Sequence, residues 1–169
     1  MPYVAPEVMT LPKILSGQSA WVEDASGRLT YVAALEIANV TVEGLLVRLS
    51  VSKSLPDEAT MIQLEFPHSP PRRDNAMERI DWRPLHRHTN KNIGPPKLHG
   101  MVIEGSHHHR FDLNWLPNQG VMRSANLPMA VPMVPEPQSF VELLELAAAV
   151  FRIHNLVTVS VPPWEADLV

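Results

Sequence analysis

Between residues 28 and 66 apolar and polar side chains alternate with a period of two, the pattern of a strand that turns one face to a core and the other to water. In residues 28–38, Leu29, Tyr31, Ala33, Leu35 and Ile37 share one face, opposite Arg28, Thr30 and Glu36. Ahead of them Asp24-Ala25-Ser26-Gly27 supplies hairpin-turn chemistry, with Gly27 free to take a positive φ. Residues 19–23 are then the partner strand. Residues 40–52 read as another strand and Pro56-Asp57 as a turn. Residues 60–66 alternate again, placing Thr60, Ile62, Leu64 and Phe66 together. The economical interpretation is a four-stranded antiparallel meander over residues 1–66.

The other strong local signal is a helix near the C-terminus. Ser139 and Glu142 form a capping-box pattern, and Pro137 stops the helix from starting earlier. Phe140, Leu143, Leu144, Ala147, Val150 and Phe151 make an apolar stripe, while Glu142, Glu145 and Arg152 face water. Asn155 is the expected left-handed C-cap, and residues 156–161 the expected final strand. Pro128, Pro132, Pro135 and Pro137 suggest an extended crossing segment over 116–136 without regular hydrogen bonding. Together these imply an α+β fold, a mostly antiparallel sheet with one main C-terminal helix packed on it. The chain of 169 residues suits a single domain, 1–169, zoned as 1–66, 67–115, 116–136 and 137–169.

Composition removes several classes. Without cysteine there is no disulfide framework, thiolate zinc site or cysteine nucleophile. A net charge of −4 argues against a protein that coats DNA through its overall charge. The first residues lack the basic start and apolar run of a secretory signal, and no stretch has the roughly 20 apolar residues of a membrane span. A cytoplasmic protein with no membrane partner is expected.

Possible chemistry concentrates in residues 68–110. Eight Lys or Arg stand there against four acids, together with seven of the eight histidines, so the rest of the chain carries −8. Strand-like pieces at 78–82 and 98–104 flank a Pro/Asn/Gly-rich loop, 83–97, of a length that is uncommon unless functional. His86 and His88 are one residue apart, His99 follows, and then His107, His108 and His109. If residues 107–115 run extended, His107, His109, Phe111, Leu113 and Trp115 share a face that reads as core. His108, Arg110, Asp112 and Asn114 then share the other, with imidazole, guanidinium and carboxylate in a row.

Such a set suits two chemistries. Two imidazoles can divide acid and base roles in phosphodiester cleavage while cations stabilise the developing charge. Neutral imidazoles can instead bind a metal ion, with Asp112 or Glu104 completing the site. No His-Glu-x-x-His helix occurs, and the cupin arrangement is not reproduced between His86 and Glu104. Histidines in a polar loop can also be incidental. The expected site is catalytic and metal-independent, with no cofactor. His86 or His88 pairs with His108 or His99, Asp112 orients an imidazole, and Arg83, Arg87, Lys97 and Arg110 hold phosphate. Arg72-Arg73 reads as a solvated basic turn, Trp82 and Trp115 as core or rim, and Met122, Met129 and Met133 as gap-fillers beneath the helix.

Ile80-Asp81-Trp82-Arg83-Pro84-Leu85, His88-Thr89-Asn90 and Gly105-Ser106-His107-His108-His109 followed by Phe111-Asp112-Leu113-Asn114-Trp115 resemble a family of uncharacterised bacterial and phage proteins. The resemblance runs from Met77 to Trp164, through Arg123, Asn126-Leu127-Pro128 and Phe151-Arg152-Ile153. It implies a shared fold and brings no activity with it. The Arg-Asp segment, His/Asn loop and His-rich strand are also similar to small toxin-like proteins of mobile elements. The functional expectation is a small cytoplasmic protein of microbial conflict systems acting on RNA or a nucleotide by histidine acid/base chemistry. The competing expectation is a non-enzymatic binding protein, such as a phage-encoded inhibitor of a bacterial defence complex of the anti-CRISPR kind. Its partner would be RNA, a nucleotide, or a protein (an antitoxin or defence complex), and exposed strand edges with a proline-rich arm make a homodimer reasonable.

Overall fold

A computed structural model describes residues 3–68 and 75–165 of the chain. The strands in chain order are β1 (Ile14–Leu15), β2 (Val22–Glu23), β3 (Arg28–Ile37), β4 (Val40–Ser52), β5 (Thr60–Glu65) and β6 (Ala76–Trp82), then β7 (His88–Thr89), β8 (Val102–Ile103), β9 (His107–His109), β10 (Trp115–Leu116), β11 (Val121–Met122) and β12 (Val131–Pro132). Eight of them form one sheet in the order β1-β3-β4-β5-β6-β9-β12, with β2 also pairing to β3; β7–β8 and β10–β11 are separate two-stranded ladders. Every ladder is antiparallel. The helices are α1 (Ala5–Thr10), α2 (Phe111–Asn114) and α3 (Phe140–Phe151). The fold is α+β, as the alternation and the capping signal imply.

The meander forms where the period-two pattern places it. Leu29, Tyr31, Ala33, Leu35 and Ile37 of β3 are all buried. Ala38 and Asn39 both take positive φ between β3 and β4, the geometry of a two-residue hairpin turn. Cross-strand partners define two rows of opposite character. Tyr31, Leu49, Ile62 and Ile80 face one another in register on the inner face, and α3 packs there through Phe140, Leu143, Leu144, Ala147 and Phe151. Burying each of the larger ones is worth about 2 kcal/mol. The outer face carries Arg48, Gln63 and Arg79 in one row and Ser50, Met61 and Asp81 in the next. It is polar, as the alternation requires.

Several local expectations are corrected. The capping Ser139 accepts from Glu142 N as expected, but Glu142 reaches back to Gln138 N, one residue earlier. The left-handed C-cap is Arg152, because Asn155 is occupied elsewhere, its Oδ1 accepting from Leu15 N. Residues 156–158 form a 3-10 turn instead of a strand, and the chain joins β1's neighbourhood through the parallel bridge Lys13–Ile153. The proline-rich crossing gains a strand after all: β12 pairs with β9 at the sheet edge, where Pro132 has no amide to lose. Trp82 is fully buried, donating Nε1–H to Pro137 O at 2.9 Å, and Trp115 is half-buried. Met122 and Met129 are buried and Met133 packs partly against the core. Arg72-Arg73 lies outside the described residues. No helix of the described residues is long and apolar enough to cross a membrane.

Candidate functional site

The histidine-rich strand joins the sheet beside β6, and its register decides which imidazoles matter. Asp81 stands opposite His107 and Arg79 opposite His109, whereas His108 stands opposite Ile80. Because successive side chains alternate, His107 and His109 share the outer face with Asp81 and Arg79, and His108 points to the inner face. The expectation for residues 107–115 holds in that His107 and His109 are buried, and fails in placing the chemical cluster on the face of His108. The alternation read back from Trp115 fails because Phe111–Asn114 is a helical turn, which replaces the period of two with one near 3.6.

Over this outer patch folds the segment 83–106. It contains more structure than a fifteen-residue loop implies: β7 pairs with β8, and Pro96–Leu98 is a 3-10 turn that shortens the strand expected from 98. The β7–β8 ladder delivers His88 onto His107 and His109. The ring centroids lie 5.2 Å apart for His88–His107, 4.7 Å for His88–His109 and 4.9 Å for His107–His109. One nitrogen of each ring lies within 4.8 Å of those of the other two. His107 and His109 are buried and His88 half-buried.

Hydrogen bonds assign the proton on each ring. His107 Nδ1 is 2.9 Å from Gly105 O, His109 Nδ1 makes a short contact with Leu127 O, and His88 Nε2 lies 3.0 Å from Asn90 Oδ1 and 3.2 Å from Pro128 O. Carbonyl oxygens only accept, so those nitrogens donate, and whenever a ring is neutral its lone pair lies on the other nitrogen: His107 Nε2, His109 Nε2 and His88 Nδ1. The amide of Asn90 is itself oriented, donating to Leu98 O at 3.1 Å and Ala130 O at 2.9 Å and accepting from Ala130 N at 2.8 Å. Asp81 Oδ2 receives Arg79 Nε at 2.9 Å and sits 3.3 Å from His107 Nε2 and 3.0 Å from His109 Nε2. Arg79 Nη2 also donates to His109 Nε2 at 2.9 Å.

Burial sets the charge states. It pushes His109 down to about 4, against the opposing pull of Asp81, so that ring is neutral at pH 7. Burial and then His107 lower His88 as well. For Asp81 burial alone would raise the carboxyl, but the imidazoles of His107 and His109 and the Arg79 guanidinium hold it well below the usual carboxylate range. The result is an ionised carboxylate among three imidazoles and a guanidinium, a donor set able to hold a metal ion or to move a proton.

A cavity of about 400 Å³ opens onto this cluster. Asp81, His88 and His107 line it, together with Arg28, His86 and Arg87. Arg28 is tied through Nε to Ser50 Oγ. The side chains of His86 and Arg87 are exposed and have no hydrogen-bond partner among the described residues. One acid against two guanidinium groups leaves the cavity electropositive.

Of the residues expected to act, His86, His88 and Arg87 reach this cavity. The others are placed elsewhere. His108 Nε2 bonds Glu78 Oε1 at 2.7 Å on the inner face. His99 is exposed, with Nε2 3.0 Å from Gly94 O, and Lys97 is exposed on the same 3-10 segment. Arg110 and Asp112 are satisfied by each other in a two-point exposed pair. Arg83 is held by Glu136, with Nε–Oε1 at 2.9 Å, and Ser106 Oγ donates to the same carboxylate at 2.8 Å while accepting from Arg83 N. That cluster pins the chain where it leaves β6 and enters the cavity wall. It is structural support.

Residues the chemical reading passed over are Asp81, His107 and His109. A signal for them was present: Arg79-x-Asp81 and His107-x-His109 each put two polar groups on one face of a strand. Only the pairing of β6 with β9 makes the two faces the same. No protein-family model, no curated protein and no solved structure matches the chain.

Proposed function

We propose that the chain hydrolyses a phosphodiester or phosphate ester of RNA or a nucleotide in the cavity between β6, β9 and the segment 84–88. The single observation that carries this reading is the convergence of three imidazoles and an ionised carboxylate, of which Asp81, His88 and His107 line an electropositive cavity. Arg28 and Arg87 are the groups for the phosphate anion, since guanidinium matches phosphate oxygens in charge and geometry. His86, free of hydrogen-bond partners among the described residues, is the proton donor to the leaving oxygen. Water attacks phosphorus, the bond from phosphorus to the leaving oxygen breaks as His86 protonates that oxygen, and the attacking water's proton passes through the open cavity to solvent water. RNA and nucleotides are abundant in the cytoplasm, where we place the chain, and slowed growth on its expression in bacteria would support a role in microbial conflict.

The test is cleavage of labelled RNA oligonucleotides and of nucleotide phosphodiesters by purified protein. His86→Ala should lower kcat by about 10²–10⁴, the usual share of one general acid. Arg87→Ala should raise KM while leaving the melting temperature unchanged. Absence of turnover on every phosphate ester, or full activity in His86→Ala, refutes the assignment.

A further inference from the structure

We propose that His88, His107, His109 and Asp81 form a binding site for a first-row transition-metal dication, with Zn²⁺ the best fit. The inference deepens the reading above by naming what activates the water. It rests on that reading only for the chemistry, because the binding stands on geometry alone.

His107 Nε2 and His109 Nε2 both face Asp81 Oδ2, at 3.3 and 3.0 Å, and Arg79 Nη2 reaches His109 Nε2 at 2.9 Å. Against an ionised carboxylate each of these ring nitrogens presents either a proton or, once deprotonated, a lone pair to a metal ion. One metal ion placed between them meets both rings and the carboxylate together. Four ligand atoms held about 2.05 Å from a tetrahedral ion stand about 3.3 Å apart, so the nitrogen–oxygen separations already match the edges of such a site. The imidazole nitrogens, all within 4.8 Å of one another, close on the ion with small ring movements. Loading displaces the hydrogen bond from Arg79 Nη2 to His109 Nε2 and any proton on the two ring nitrogens facing Asp81, while Arg79 Nε keeps its hold on Asp81.

The surroundings are those of ligands held in place. Each imidazole spends its other N–H on an oxygen of the fold: Gly105 O, Leu127 O, and Asn90 Oδ1 with Pro128 O. In metal sites such outer contacts fix the tautomer and orient the ring. Three imidazoles and one carboxylate are a donor set suited to Zn²⁺ and poorly suited to Mg²⁺ or Ca²⁺, which take oxygen. Asp81, His88 and His107 line the cavity, so from that side water joins the four protein ligands as a fifth, an expansion that Zn²⁺ allows. There Zn²⁺ lowers the pKa of bound water to about 7, and the released proton passes through the cavity to solvent.

The test uses full-length protein stripped with a chelator, dialysed, and titrated with Zn²⁺ by calorimetry and with Co²⁺ by visible absorption. One ion per chain, the visible absorption of four-coordinate Co²⁺, and a higher melting temperature with Zn²⁺ are expected. His88→Ala and Asp81→Asn should each weaken binding at least 10-fold. The double variant His99→Ala/His154→Ala, which removes two exposed imidazoles, should bind unchanged. Failure of the stripped chain to bind, or binding lost with His99 and His154, overturns the site. If the ligand variants do not fold, the stoichiometry and Co²⁺ spectrum of the unaltered chain decide the matter in the same two directions. A Zn²⁺-loaded protein that leaves all phosphate esters intact overturns the proposed hydrolysis and keeps the site. Full-rate cleavage by ion-free protein overturns the ion's part in it.

Discussion

Two buried asparagines provide a matched pair of perturbations. Asn90 and Asn114 both strap the segment that leads into β12. Asn90 bonds Ala130 N and Ala130 O; Asn114 bonds Met129 N at 3.0 Å and Met129 O at 2.8 Å. Truncating either to alanine orphans one backbone N–H and one C=O in a buried place, since Leu98 O keeps Met101 N and Arg110 O belongs to a helical turn. At about 1–3 kcal/mol for each orphaned group, each variant should lose about 2–6 kcal/mol. For a chain of this size that lowers the melting temperature by about 5–20 °C. Only Asn90 also holds His88 Nε2. Asn90→Ala should therefore weaken Zn²⁺ binding by about 10–100-fold, the usual effect of losing an outer partner of a histidine ligand, while Asn114→Ala leaves the affinity within about twofold. Differential scanning fluorimetry and Zn²⁺ titration of both proteins read the two effects separately. Equal loss of metal affinity in the two variants, or no thermal loss in either, would refute the reasoning.

Three further outcomes follow from single contacts. His108→Ala strips the partner from the buried Glu78 carboxyl and should cost about 3 kcal/mol by urea titration, with turnover per folded molecule unchanged; a loss of turnover at unchanged stability would return His108 to the active site. Gly44 takes φ +75°, and a Cβ there would stand 2.7 Å from Pro67 Cδ. Gly44→Ala should therefore lose about 2–4 kcal/mol in the same assay, and a neutral result would show that the β4 backbone is free to move. Lys13 is buried, its Nζ donating to Leu11 O and Phe151 O, and burial followed by Arg152 lowers its pKa from 10.5 to about 8. Between those two values the unfolded chain keeps a proton that the folded chain has released, so this group makes stability rise with pH from about 8 to 10.5. Lys13→Met should flatten that rise in urea midpoints; parallel pH curves for the two proteins would contradict it.

What the sequence made legible was local. The alternation of Leu29, Tyr31, Ala33, Leu35 and Ile37 has one strand solution, and Ser139 with Glu142 marks a helix start through bonds made within four residues. The site is built from contacts between distant segments. Asp81 meets His107 only because β9 pairs with β6 in a register that a one-residue slip would invert. His88 arrives through β7–β8, two residues paired with two, too short to show a period. Asn90 and Asn114 read as loop and turn residues, yet each replaces a backbone ladder for a segment whose prolines limit its own. The cation-rich composition of residues 68–110 marks the segment that contains most of the cluster. It could not separate Arg87, which has no ion-pair partner among the described residues, from Arg83 and Arg110, whose carboxylate partners are in hand.

The central claim is that the imidazoles of His88, His107 and His109 and the carboxylate of Asp81 act together around one ion at the cavity floor. Diffraction from Zn²⁺-soaked crystals, recorded on both sides of the zinc absorption edge, tests it most directly. The account predicts one strong anomalous peak about 2.0–2.1 Å from His107 Nε2, His109 Nε2 and Asp81 Oδ2. A map with no density there, or with zinc bound only at the exposed rings of His86 and His99, would contradict it.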